Sequence, residues 1–156
     1  MDQDPAERPS ASRRLERPPG ERYDQPVDAA ERATGSVTRA VAFAIPAAMI
    51  SLFVYVGFAG PLAFSGGLVI VGIFAGRIVG LAARTGAGSA VPRERSVLIA
   101  LGVTLAWFLL SQVAVWLYAQ SEGGVLPIVD YLAQAFGPIV PLTGIAAAVA
   151  TWLSAR

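Results

Sequence analysis

The chain of 156 residues contains no cysteine and no histidine. Disulfides, thiolate nucleophiles, Cys/His zinc sites, iron–sulfur clusters and His-ligated haem are thereby excluded as intrinsic features, and no cofactor is expected. Lysine is missing as well: all twelve basic residues are arginine, which reflects a GC-rich coding bias more than chemistry. Charge of either sign is scarce, at 15% of residues, against about 25% in an ordinary soluble domain. A formal net charge of +1 provides no electrostatic footprint for nucleic acid, so no such partner is expected.

The scarcity of charge is concentrated in three tracts. No Asp, Glu, Lys or Arg occurs from Ala40 to Gly76, from Ser96 to Ser121, or from Tyr131 to Ala155. Each tract exceeds the roughly 18 residues that mark a candidate membrane helix, and the first is long enough for two. Mean hydropathy is +0.57. The fold class expected is an all-α membrane protein with four transmembrane helices, arranged as two antiparallel hairpins. The spans are placed at 37–57, 62–83, 96–119 and 139–154.

Residues 1–36 differ in composition. They hold six arginines, eight acids, five prolines and almost nothing to bury, so the entropy of ordering them would go uncompensated. A disordered cytoplasmic tail is expected there. It lacks the apolar core of a signal peptide, which leaves the first span to act as an uncleaved anchor. Asp28 followed by Glu31 resembles a helix-starting box, and Arg13 and Arg14 after Ser10 and Ser12 would suit a kinase or docking partner. A solvated tail is the simpler reading.

Within the apolar part, small residues recur at helical spacing. Ser36 is placed to cap the first span, and Ala40, Ala44 and Ala48 share one of its faces. Pro46 lies inside it and removes one backbone hydrogen bond; in lipid the freed carbonyl needs a neighbour, so this region is expected to pack against protein. Gly57 to Pro61 breaks the apolar run and predicts a short turn. In the second span Gly72, Gly76 and Gly80 form a smooth groove that lets another helix backbone approach closely. Residues 84–95 (RTGAGSAVPRER) are predicted to be a flexible basic loop. The GxG in it has neither the preceding strand nor the signature lysine of a phosphate-binding turn.

The third span carries Gly102 and Ala106, then Trp107 near mid-depth and Gln112 beyond it. A glutamine at that depth is expected to hydrogen-bond across helices, while Trp116 and Tyr118 stand at the depth of an aromatic belt. Residues 127–136 suggest a short helix, apolar on one side, lying at the outer interface. The alternative is one long kinked helix over 127–154. The last span repeats the small pattern at Thr143, Ala147, Thr151 and Ala155, so that Ala147 and Thr151 join the three glycines as candidate helix-packing residues. The two halves share a faint likeness: an arginine-flanked span, a Gly-Pro break (Gly60-Pro61, Gly137-Pro138) and a small-residue helix.

Arginine sets the orientation. Seven arginines precede the first charge-free tract, Arg84, Arg93 and Arg95 flank the middle connection, and Arg156 ends the chain; the other two connections contain none. The positive-inside bias therefore places both termini and the middle loop in the cytoplasm, in a multi-pass protein of the plasma membrane. Arg77 is the exception, about 10 Å deeper than Arg84 along a helix. Snorkelling to the cytoplasmic headgroups or a structural ion pair is the expectation for it, with a functional charge on a substrate path as the alternative. Asp130 is at the opposite surface and is not its partner.

No catalytic constellation is present: the acids of the membrane part, Glu94, Glu122 and Asp130, are single and scattered, and its serines have no base. The expected role is that of a non-enzymatic subunit or accessory protein. Its partners would be the lipid bilayer and other membrane helices, in a homo-oligomer or a larger complex. An oligomeric small transporter or channel is the alternative, with Arg77, Trp107, Gln112 and Thr143 as the polar groups of its path.

Overall fold

A computed structural model describes residues 35–156, apart from residues 63 and 125. The expectations for the tail, including the box at Asp28 and the serines and arginines at 10–14, lie outside the described residues. Five α-helices follow in order: α1 (Val37–Ala59), α2 (Leu68–Ala87) preceded by a 3-10 turn (Ser65–Gly67), α3 (Arg93–Ser121), α4 (Ile128–Ala135) and α5 (Ile139–Ala155). The described residues contain no strand. Three segments, Val37–Ala59, Ser65–Ala87 and Arg93–Ser121, are long and apolar enough to cross a membrane; α4 and α5 pass that test only together, and they meet at 90°.

Local chemistry explains where the helices begin and end. The Ser36 hydroxyl accepts the Arg39 backbone N–H at 3.1 Å, which caps α1. The second helix differs from its expected 62–83. Residues 60–62 form a turn and the first helical residues are the 3-10 turn at Ser65–Gly67, so the start is later. The end is later too, because Arg84 terminates the apolar tract without terminating the helix: a cation in the last turn complements the helix dipole. Helix α2 stops only at Gly88, in the left-handed region at φ 57°. The basic loop expected over 84–95 is thus reduced to residues 88–92, with Arg93 already in α3 and Glu94 placed favourably in its first turn. Gly137, at φ 51°, makes the corner that separates α4 from α5, so 127–154 is two helices.

Helix α1 packs against α2 and α3, and α5 packs against α2 and α3, which makes a four-cornered bundle. The residues that fill its interior are mostly small. Buried stripes run along Ala40, Ala44, Ala48, Ser51, Tyr55 and Ala59 of α1, and along Thr143, Ala147, Thr151 and Ala155 of α5. Large apolar side chains point outward: Phe53 is 69% exposed, Leu98 68% and Phe74 61%. A water-soluble bundle has the reverse distribution, with its large aliphatic and aromatic residues inside. Several apolar helices with an apolar exterior are compatible with a multi-pass membrane protein.

The packing expected around Pro46 is not made within residues 35–156. Pro46 lies on the exposed side of α1, together with Ala42, whose carbonyl it deprives of a partner. The reason is register: the inward stripe passes through Ala44 and Ala48, and a residue midway between them falls on the opposite face.

Candidate functional site

The two small-residue series meet each other. A Cβ added at Gly72 would stand 2.7 Å from Thr143 Cγ2, one at Gly80 would stand 2.8 Å from the Thr151 carbonyl oxygen, and one at Gly76 would collide with the Ala147 carbonyl oxygen. The glycine groove of α2 is therefore occupied by the backbone of α5, one turn against one turn. A hydroxyl cluster fastens this seam. Thr151 Oγ1 lies 2.8 Å from Ala147 O and 3.0 Å from Gly76 O, and 2.8 Å from Thr104 Oγ1 of α3. With Thr104 as donor to Thr151, and Thr151 sharing its single proton between the two carbonyls, one buried point joins α2, α3 and α5.

The seam between α1 and α3 is built differently. Tyr55 and Trp107 meet edge to face, with ring centroids 5.7 Å apart and planes at 84°. Gln112 Nε2 donates to the Tyr55 hydroxyl at 3.2 Å, across the two helices. These rings hold the helices apart, and beside them opens an apolar cleft of about 290 Å³ that reaches Ala48, Gly102, Ala106 and Trp107. A Cβ at Gly102 would meet nothing within 4 Å.

Of the three polar candidates, the structure brings together two. Trp107 and Gln112 are buried at the α1–α3 seam. Arg77 is exposed on α2, between Phe74 and Ile78, on the side away from the glycine groove. Among the described residues no hydrogen bond or ion pair reaches its guanidinium, so the structural pairing expected for it is not made within residues 35–156. Thr143, the fourth polar group of the alternative path, donates to Ile139 O at 2.8 Å and faces Gly72. A single polar site made of Arg77, Trp107 and Gln112 is not assembled.

Two contributors escaped the sequence reading. Tyr55 and Thr104 supply the acceptor for Gln112 and the link to Thr151. The signal for both was the continuation of each small-residue stripe, from Ala48 through Ser51 to Tyr55 and from Ser96 through Ala100 to Thr104.

Two further serines bond locally: Ser51 donates to Ala47 O and Ser111 to Trp107 O, both at 2.8 Å. Among the described residues no three His, Cys, Asp or Glu side chains group as metal ligands. Two buried polar atoms, Ser96 Oγ and Trp107 Nε1, have no partner among the described residues. The ends of the bundle differ in charge. Ser36 N donates to Gly86 O, and the Arg39 carbonyl lies against Gly86, so Arg39 and Arg84 are at the same end. Arg93 and Glu94 share a surface hollow there with Arg156, whose Cζ lies 3.5 Å over the Trp152 ring.

At the other end Glu122 and Asp130 stand without an arginine among the described residues. Trp116 Nε1 donates to Leu126 O at 3.0 Å, and Gln120 Nε2 donates to the same oxygen at 3.3 Å, which fastens the connection from α3 to α4. Burial, and then the Glu122 carboxylate, pushes the Tyr131 phenol above its ordinary range. No protein-family model, no curated protein and no solved structure matches this chain.

Proposed function

We propose that this chain is a non-enzymatic integral membrane protein, a subunit or accessory factor whose outer helix faces pack against other membrane helices. In this reading four spans form two antiparallel hairpins, with α4 lying in the outer interface and both termini in the cytoplasm. The gathering of Arg39, Arg84, Arg93, Arg95 and Arg156 at one end supports the orientation. The plasma membrane is the site that fits it.

The observation that carries the reading is the contrast between a sealed interior and an unsealed exterior. Most polar groups of the interior bond to one another or to carbonyls one turn away, Ser96 Oγ and Trp107 Nε1 excepted, which argues against a continuous polar path for a solute among the described residues. The outer face beside Gly102 and Ala106, by contrast, has the small-residue spacing that admits a neighbouring helix, and no segment of residues 35–156 fills it. Native mass spectrometry of the chain extracted with its native membrane is the test. Recovery in a defined assembly is expected; recovery as a lone monomer would count against the proposal. Ion or solute flux through purified protein in liposomes would favour the transporter alternative.

A further inference from the structure

Helix α2 has two faces with opposite chemistry. One is the glycine groove, filled by α5. The other carries Ile70, Ile73, Phe74, Ile78 and Leu81, all exposed, and in their midst a single cation, Arg77. In the Ser65–Ala87 segment Arg77 stands twelve residues from one end and ten from the other. It is thus about 15 Å or more from either end of the helix, and about 10 Å deeper than Arg84, at 1.5 Å per residue.

Snorkelling from that position works against the geometry of the helix. The Cα–Cβ bonds of a helix tilt toward its N-terminus, so the first bond of the Arg77 side chain inclines toward Ser65, and the side chain must double back to reach the end where Arg84 and Arg93 gather. Its helix-face neighbours Ile73, Phe74 and Leu81 are apolar, and the guanidinium has no ion pair among the described residues. A groove of about 390 Å³ runs between α1 and α2, walled by Ile50, Val54, Phe58, Ile70, Phe74 and Ile78, and Arg77 stands on the same helix outside its lining.

We infer that this face seats a transmembrane helix of a different protein, one that carries an aspartate or glutamate near its midpoint and pairs it with Arg77. The inference rests on the packing-protein reading above and names the chemistry of the partner. Charge complementarity decides the occupant: a buried cation in lipid is stabilised by an acid at its own depth. A second copy of the chain does not supply one, because the acids of residues 37–156 are Glu94, Glu122 and Asp130, all near helix ends. The apolar groove holds the aliphatic body of the partner helix, and Arg77 fixes its depth. The arginine-specific geometry is two parallel N–H donors on one carboxylate, so lysine substitutes only in part.

The test uses the full chain in phosphatidylcholine vesicles with a fluorescent, single-span Leu/Ala helix bearing one central Glu, Gln or Leu. A central residue meets Arg77 whichever way the peptide inserts. Energy transfer should show the Glu helix associating at least about tenfold more tightly than the Leu helix. Arg77→Leu should erase the preference, Arg77→Lys should keep part of it, and Arg77→Glu should transfer it to a helix with a central Arg. Circular dichroism and the unfolding midpoint of each variant keep a folding defect from passing as lost recognition. Equal binding of the Glu and Leu helices by the unaltered chain would overturn the proposal, as would a preference that survives Arg77→Leu. Loss of the preference on adding phosphatidylglycerol would assign Arg77 to a lipid headgroup and overturn it too. In native membranes, an assembly unchanged in mass by Arg77→Leu overturns this inference while sparing the packing-protein reading; a lone wild-type monomer overturns both.

Discussion

The α2–α5 and α1–α3 seams are made of helices of similar apolarity, yet one is closed and the other leaves a cleft. In the first, small residues recur every fourth position on both partners, so backbone meets backbone along Gly72, Gly76 and Gly80. In the second, the stripe of alanines on α1 gives way to Tyr55, opposite Trp107 on α3, and the rings act as spacers. Gly102 and Ala106 then remain on the outside. The lesson is that a glycine in a membrane-type helix has no packing value of its own. Its value depends on whether a second small-residue stripe arrives in register, because lipid supplies no hydrophobic drive to press the helices together.

Substitutions in the two seams should separate them. Gly76→Ala forces a methyl into the Ala147 carbonyl, and neither backbone can yield alone. It should lower the stability of the folded protein by about 3 kcal/mol, the upper end of overpacking costs, as read by reversible unfolding in mixed micelles. Trp107→Ala, in the open seam, should lower stability by about 2 kcal/mol: the cavity term remains, but the transfer term that operates in water does not. Thr151→Val keeps the shape and removes the hydroxyl that joins α2, α3 and α5. A loss of about 1 kcal/mol is expected, in line with interhelical hydrogen bonds measured in membranes. Gly102→Ala is the counterpart of the first change and should have the opposite sign, a gain of about 0.5 kcal/mol from helix propensity, since its added methyl meets nothing. Equal effects for Gly76→Ala and Gly102→Ala would erase the distinction between the seams.

Much of this arrangement was legible in the chain itself. Charge-free tracts located the helices, and spacing marked the faces of α2 and α5 as packing surfaces. Which face pairs with which was not legible, because small-residue stripes encode close approach without naming a partner. The stripe of α2 suits another protein as well as it suits α5.

The end of α2 was misplaced for a related reason. Arg84 marks where apolarity stops, but a helix stops where its backbone does, at Gly88. Tyr55 was passed over because an aromatic in an apolar run carries no signal until its glutamine partner, fifty-seven positions away, is in place. The isolation of Arg77 was likewise invisible, since a sequence gives the depth of a charge along its helix but not which neighbours surround it.

The absence of native cysteine allows the threading of the chain to be measured directly. Single cysteines at Ala90, between α2 and α3, and at Glu122, after α3, would be labelled in intact cells with a maleimide that cannot cross the membrane. Labelling of Glu122→Cys in intact cells, with Ala90→Cys reacting only after permeabilisation, is the result expected of a chain that crosses the membrane with Arg84 and Arg93 on the cytoplasmic side. Equal labelling of both positions before permeabilisation would contradict it.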